Sequence, residues 1–203
     1  MLPSRVKLVL SAVAVLLVGS LSANAANPFL KARDDRPVTV ELRGTEWGDD
    51  INGHEAPLSA TMVTRRVAAM SWGAVFQVRF EQIESRSQPP RKIKPEWFVV
   101  TDGRIYLLNE TDNLEAVARL QKLGTAPDFE EDTVYAVSRG TFSHADPPWE
   151  TIVRTKGDLC TYLSTHNSGH FKKIVWKRGA GLVEYSMGSG AEADGFRLKR
   201  VAR

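Results

Sequence analysis

Apolar and polar residues alternate along several short segments of the chain, and this alternation predicts β-strands with one buried face. The apolar side chains on the shared faces are Val38, Val40 and Leu42 in the first such segment, and Ala74, Phe76, Val78 and Phe80 in the second. Residues 58–70 are rich in Thr and Val but contain two consecutive alanines, so this segment fits either a strand or a helix.

The last third of the chain, from Trp149 to Val201, has the most regular pattern. Runs rich in Val, Ile, Tyr, Phe and Trp are separated by short Gly-containing or Asn-containing turns. Branched and aromatic residues favour strands, and Gly and Asn favour tight turns. The segment predicts an antiparallel meander with strands near 150–155, 159–165, 171–176, 182–185 and 196–201.

One hairpin and one helix are indicated between these regions. Asp102-Gly103 separates apolar runs at 97–100 and 105–108, which predicts a hairpin with a type I′ turn. Asp112 and Glu115 have the spacing of a capping box, and Gly124 suits the end of a helix. The apolar stripe of this helix would contain Leu114, Val117, Ala118 and Leu120.

These elements amount to about nine or ten strands and one clear α-helix, which predicts a mainly β, β-rich α+β fold. We expect an antiparallel barrel or sandwich with a C-terminal meander. The Pro-rich connector at 85–95 either marks a subdomain boundary or is an exposed loop. Its Arg91, Lys92 and Lys94 form a small basic patch, which a solvated loop would also explain.

The N-terminus has the features of a secretory signal peptide. Arg5 and Lys7 precede an apolar run at 8–18, and Ala23-Asn24-Ala25 fits the small-residue cleavage pattern. The run is shorter than the roughly 20 residues that a membrane-spanning helix needs. We therefore expect a signal peptide at 1–25, a flexible leader at 26–36 and a single domain at 37–203. The mature protein would lie in the periplasm or be secreted, with no stable membrane anchor.

Charge and cysteine content limit the function classes. Removal of residues 1–25 takes away Arg5 and Lys7, so the formal charge falls from +3 to +1. A near-neutral chain does not predict nucleic-acid binding, which needs concentrated basic charge. Cys160 is the single cysteine, so the chain has no internal disulfide and must rely on its core.

Two histidines and the cysteine are the candidate reactive residues. His166 and His170 are four residues apart, a spacing that binds zinc on a helix, but Asn167-Ser168-Gly169 between them predicts a hairpin turn. No third ligand follows from the sequence, so we predict no metal or other cofactor. Cys160 is either a nucleophile with His144, His166 or His170 as base, or a small buried residue of a strand.

Basic residues beside an aromatic residue form the candidate binding face. Trp176, Lys177 and Arg178, together with Lys172, could contact a partner, because Trp and Arg are frequent in interface hot spots. The alternative is a core tryptophan beside solvated basic residues.

The export signal, the β-rich pattern and the lack of a coherent catalytic set favour a non-catalytic binding protein of the bacterial cell envelope, of the inhibitor or immunity type. Its partner would be a cell-envelope protein. The alternative is an envelope hydrolase or metal-dependent enzyme that uses Cys160 with the nearby histidines. The two hypotheses differ in whether Cys160 and the histidines share one cleft.

Overall fold

The computed structural model describes residues 27–30, 36–51, 54–129, 134–190 and 193–202, and these form twelve strands in one antiparallel sheet. The predicted signal peptide and residues 26 and 31–35 of the predicted leader lie outside the described residues. The strands are β1 (Val38–Trp47), β2 (Ala56–Met70), β3 (Gly73–Glu84), β4 (Glu96–Val100), β5 (Arg104–Leu107), β6 (Val134–Val137), β7 (Thr141–Asp146), β8 (Trp149–Lys156), β9 (Leu159–His166), β10 (Phe171–Lys177), β11 (Gly181–Ser189) and β12 (Asp194–Arg200). A 3₁₀ turn (Asp49–Ile51) follows β1, and one α-helix, α1 (Asn113–Leu120), follows β5.

The sheet is an up-and-down barrel that is nearly closed. Each strand pairs with the next one in sequence, except that β6 does not pair with β7. The first and last strands also pair, since β1 lies between β2 and β12. The predicted antiparallel barrel or sandwich, with a C-terminal meander and one helix, is therefore confirmed. The ambiguous segment 58–70 belongs to β2.

The pairing of β1 with β12 depends on a close backbone approach at Gly44. A Cβ atom added to Gly44 would lie 1.7 Å from the carbonyl oxygen of Arg197 in β12. Any side chain at this position would therefore push the two strands apart, and β1 can pair with β12 in this way because the residue is glycine.

Aromatic side chains fill the middle of the barrel. Tyr135 and Tyr162 stack with ring centroids 4.2 Å apart, and Phe98 meets Trp176 edge to face at 6.2 Å. All four side chains are buried. Because this centre is packed, space for a ligand can exist only towards the ends of the barrel.

A short helix and the segment after it cover part of the outer surface. Tyr106 pairs with Val99, the neighbour of Phe98, so it lies on the outer face of the sheet, where it stacks on Phe129 at 4.3 Å. Ala116 and Val117 of α1 are buried. No helix in the described part of the chain is long and apolar enough to cross a membrane.

The predicted start of the helix is confirmed and its predicted end is not. The Asp112 carboxylate accepts hydrogen bonds from the backbone N–H groups of Leu114 and Glu115, as expected of an N-cap. The helix ends at Leu120, before Gly124, and Leu114 is 65 % exposed instead of buried.

The predicted hairpin is present, but its turn differs from the predicted type. β4 and β5 pair across Asp102-Gly103, and the N–H of Thr101 donates to the carbonyl oxygen of Arg104 at 2.9 Å. Gly103 does not have the positive φ of a type I′ turn.

The Pro-rich connector does not divide the barrel, because β3 before it pairs with β4 after it. A buried charge fixes it in place. The Glu46 carboxylate is fully buried and accepts hydrogen bonds from Ser85, from Ser87 and from Nε of Arg91 at 3.0 Å. Arg91 also pairs with Asp194 at 2.8 Å, which links the connector to β12.

Residues 27–30 differ from the predicted flexible leader. Phe29 is fully buried and Leu30 nearly so, and both belong to the hydrophobic core. The guanidinium of Arg178 lies 4.8 Å from the Phe29 ring centroid, and the N–H of Gly179 donates to the carbonyl oxygen of Pro28. This segment therefore packs beside the β10–β11 turn at one end of the barrel.

Candidate binding cleft

A cleft of about 810 Å³ opens at the end of the barrel that lies away from Phe29. We call it the mouth cleft. The connector from Arg91 to Glu96 forms one side, and the ends of β10, β11 and β12 form the other. Its size is within the range of ligand-binding sites, which are commonly about 300–1,000 Å³.

A hydrogen-bonded charge pair forms the floor of the mouth cleft. Oε1 of Glu96 accepts from Nζ of Lys172 and from Oη of Tyr185, both at 2.6 Å. Nζ of Lys172 also lies 3.4 Å from Oη of Tyr135. Burial, together with the nearby Glu96 charge, raises the pKa of Tyr185 well above its usual value, so Tyr185 is a neutral donor.

Aromatic rings form one rim of the mouth cleft. The pairing of β8 with β9 places Trp149 opposite His166, and their ring centroids are 4.8 Å apart. His166 and His170 flank the β9–β10 turn, as predicted, with ring centroids 5.7 Å apart. The backbone N–H of His166 donates to the backbone carbonyl oxygen of His170 at 2.8 Å. Trp149 is 42 % exposed, so its ring is available to a ligand.

Apolar side chains form the wall between the rim and the floor. Phe171, Met187 and Phe196 line this part of the mouth cleft. The ring of Phe171 packs directly over Gly188, where an added Cβ would lie 2.4 Å from a ring carbon. The wall therefore offers an apolar surface beside the charged floor.

The charges that line the mouth cleft are not balanced. Its two acidic side chains are both paired, Glu96 with Lys172 and Asp194 with Arg91. Lys92 and Lys94 also line the mouth cleft and are exposed. Neither has an ion-pair partner within the described ranges of the chain. The mouth cleft is therefore electropositive.

Cys160 is not part of this site. It is a fully buried residue of β9, which is the second of the two alternatives that the sequence left open, and burial raises the pKa of its thiol. It lies near the start of β9 and His166 at the end, a separation of about 20 Å at 3.3 Å per residue. Cys160 thus does not share the mouth cleft with His166 and His170, and His144 lies on β7, level with Ser164 of β9, and does not line the mouth cleft either.

The predicted binding face is not a continuous surface. Trp176 is fully buried in the aromatic centre, so it cannot contact a partner. Lys172 points into the mouth cleft, whereas Lys177 and Arg178 lie at the opposite end of β10, near Phe29. The error arose because neighbours in a strand alternate between its two faces and its two ends lie far apart.

Among the residues that the structure describes, no three His, Cys, Asp or Glu side chains form a group that could hold a metal ion.

Sequence reasoning missed Trp149, Glu96 and Tyr185 as members of one site. Glu96 is 76 positions from Lys172 and 89 positions from Tyr185, and no local pattern connects such distant residues. The basic patch of the connector was visible in the sequence, but nothing there indicated that it faces a cleft. Comparisons with protein-family models and with curated proteins find no match for this chain.

Proposed function

We propose that this chain is an exported, non-catalytic binding protein of the bacterial cell envelope, and that it holds a partner protein in the mouth cleft. The inhibitor or immunity type of protein fits this proposal, because such proteins act by occupying a partner. The observation that supports it is the convergence of an aromatic rim, an apolar wall and the exposed cations Lys92 and Lys94 at one end of a barrel.

The composition of the mouth cleft is that of a recognition site. Exposed aromatic rings provide large contact areas at a low entropic cost, and a few fixed polar groups provide orientation. The ion pair of Glu96 and Lys172 supplies such fixed polar groups on the floor, because each side chain holds the other in place.

The alternative enzyme hypothesis finds less support. A cysteine nucleophile needs a base within hydrogen-bonding distance and access to substrate. Cys160 is buried, and the length of β9 separates it from His166 and His170.

Export is part of the proposal and can be tested by itself. Cleavage after Ala25 should give a mature protein that begins at Ala26. Mass spectrometry of the protein purified from a periplasmic fraction should find this N-terminus. Intact protein confined to the cytoplasm would contradict export.

The binding site can be tested by comparing captures by variants of the mature protein from cell-envelope extracts. The cleft variants are Trp149→Ala and the double substitution Lys92→Glu/Lys94→Glu. The matched control is Lys156→Glu/Lys177→Glu, which makes the same charge change on exposed residues at the other end of the barrel.

The proposal predicts at least one partner that the wild type and the control capture and that both cleft variants lose. Circular dichroism should show that all variants fold. Partners captured equally by all variants, or turnover of an envelope substrate that Cys160→Ser abolishes, would contradict the proposal.

A further inference from the structure

The mouth cleft is lined by more cationic than acidic side chains, which indicates the charge of the ligand it would bind. Four cationic side chains line it, Arg91, Lys92, Lys94 and Lys172, against the two acidic side chains of Glu96 and Asp194. Both acids already have a cationic partner, and Lys92 and Lys94 have no ion-pair partner among the described residues, so their charges are available to a ligand.

The existing ion pairs favour an anionic ligand over a cationic one. Arg91 is held by the buried Glu46 and by Asp194, and Lys172 is held by Glu96 on the floor. An incoming cation would have to displace one of these pairs, whereas an incoming anion can bind Lys92 and Lys94 and leave the pairs intact.

An apolar surface lies beside these cations. Phe171, Met187 and Phe196 form the wall, and the exposed ring of Trp149 stands at the rim. A ligand that satisfied only the cations would leave this surface exposed to water, so the ligand should also carry an apolar group.

We infer that the mouth cleft recognises an acidic segment of the partner that presents a carboxylate next to an apolar or aromatic side chain. The carboxylate binds Lys92 and Lys94, and the apolar group lies against Phe171 and Trp149. This inference rests on the proposed function, since it specifies what the partner contributes to the same site.

Two fluorescent probes separate the charge from the apolar body. 8-Anilinonaphthalene-1-sulfonate carries an anionic group on an aromatic body, and N-phenyl-1-naphthylamine has the same rings without the charge. We expect the wild-type protein to bind the sulfonate about tenfold more tightly than the neutral probe, which corresponds to about 1.4 kcal/mol. Raising NaCl to about 0.5 M should reduce this preference, because salt screens exposed charges.

The variants show which residues contribute to binding the charge of the probe and which contribute to binding its aromatic rings. Lys92→Glu/Lys94→Glu should remove the preference for the sulfonate and leave the affinity for the neutral probe within about twofold. Trp149→Ala should weaken both probes by a similar factor. The control Lys156→Glu/Lys177→Glu should behave as the wild type.

Each other outcome contradicts a different statement. Equal affinity for both probes, or a sulfonate preference that survives Lys92→Glu/Lys94→Glu, would overturn the acidic ligand and leave the binding function standing. Binding of neither probe, or binding that Trp149→Ala leaves unchanged, would overturn the acidic-apolar ligand. If the capture experiment also finds no partner whose capture is lost in the cleft variants, the proposed function is contradicted as well.

Discussion

Glu46 keeps its charge inside the protein because five donors surround its carboxylate. They are the hydroxyls of Ser85 and Ser87, the backbone N–H groups of Arg86 and Ser87, and Nε of Arg91. Burial opposes ionisation, but the hydrogen bonds from Ser85, Arg86, Ser87 and Arg91 outweigh it and lower the pKa of Glu46. This residue positions the connector that carries Lys92 and Lys94.

Replacing Glu46 by Gln should destabilise the fold strongly. The substitution replaces the charged acceptor of five hydrogen bonds by a neutral amide, while Arg91 keeps its pair with Asp194. Loss of the acceptor of a buried or charged donor commonly costs about 1–3 kcal/mol for each donor left unsatisfied. Urea unfolding followed by circular dichroism measures the change. The control is Glu81→Gln, which breaks the exposed pair with Arg79 and should cost less than about 1 kcal/mol. A loss at Glu46 as small as that at Glu81 would contradict the structural role of the buried carboxylate.

The same residue predicts how stability depends on pH. A carboxyl whose pKa is lower in the folded than in the unfolded state contributes stability above its unfolded pKa and loses it as the pH falls through its folded pKa. The free energy of unfolding should therefore decrease below about pH 4.3 in the wild type. It should decrease less steeply in Glu46→Gln, and equal slopes in the two proteins would argue against this assignment.

Cys160 should be inert towards thiol reagents in the folded protein. Its side chain is fully buried, and burial raises its pKa, so little thiolate is present and none is accessible. Reaction with 5,5′-dithiobis(2-nitrobenzoate) should require unfolding in urea. Rapid modification of the native protein would support the enzyme hypothesis.

At the level of elements, Gly44 allows β1 to pair with β12, which joins the two halves of the sheet. An alanine there would place a methyl group against the backbone of β12. We expect Gly44→Ala to destabilise the protein by several kcal/mol, because backbone atoms cannot move aside as a side chain would. Gly103→Ala is the matched control, since nothing lies within 4 Å of its added Cβ and its φ is not positive.

Thermal unfolding of the two glycine variants provides the comparison. A melting temperature of Gly44→Ala equal to that of Gly103→Ala would show that β1 and β12 do not approach as closely as described.

The elements that could be predicted from sequence are those set by local patterns. The alternation in β1 and β3 and the N-cap at Asp112 involve residues within a few positions of each other. The closure of β1 on β12 joins the two ends of the domain. The burial of Phe29 depends on the β10–β11 turn, about 150 positions later in the chain. The neighbouring residues alone, which are polar and include Pro28, therefore predicted a flexible leader.

At the scale of the whole molecule, the barrel has two different ends. Residues 27–30 pack against one end, and the mouth cleft opens at the other. Between them the stacked aromatic residues provide a rigid support. The floor, wall and rim of the mouth cleft come from strands distant in sequence, so only the folded barrel brings them together. The sequence predicted an antiparallel barrel or sandwich but not the site.

Site-specific photo-crosslinking in intact cells tests most directly whether this protein binds a partner through the mouth cleft. p-Benzoylphenylalanine, which unlike alanine keeps a large aromatic side chain at the rim, would replace Trp149 or, as the control, Leu159 at the opposite end of the paired strand β9. The two side chains are similarly exposed, at 42 % and 41 %. If the partner binds in the mouth cleft, the crosslinker at position 149 should give a discrete crosslinked product, and the crosslinker at position 159 should give none. Equal crosslinking from both positions, or a product from position 159 alone, would contradict it.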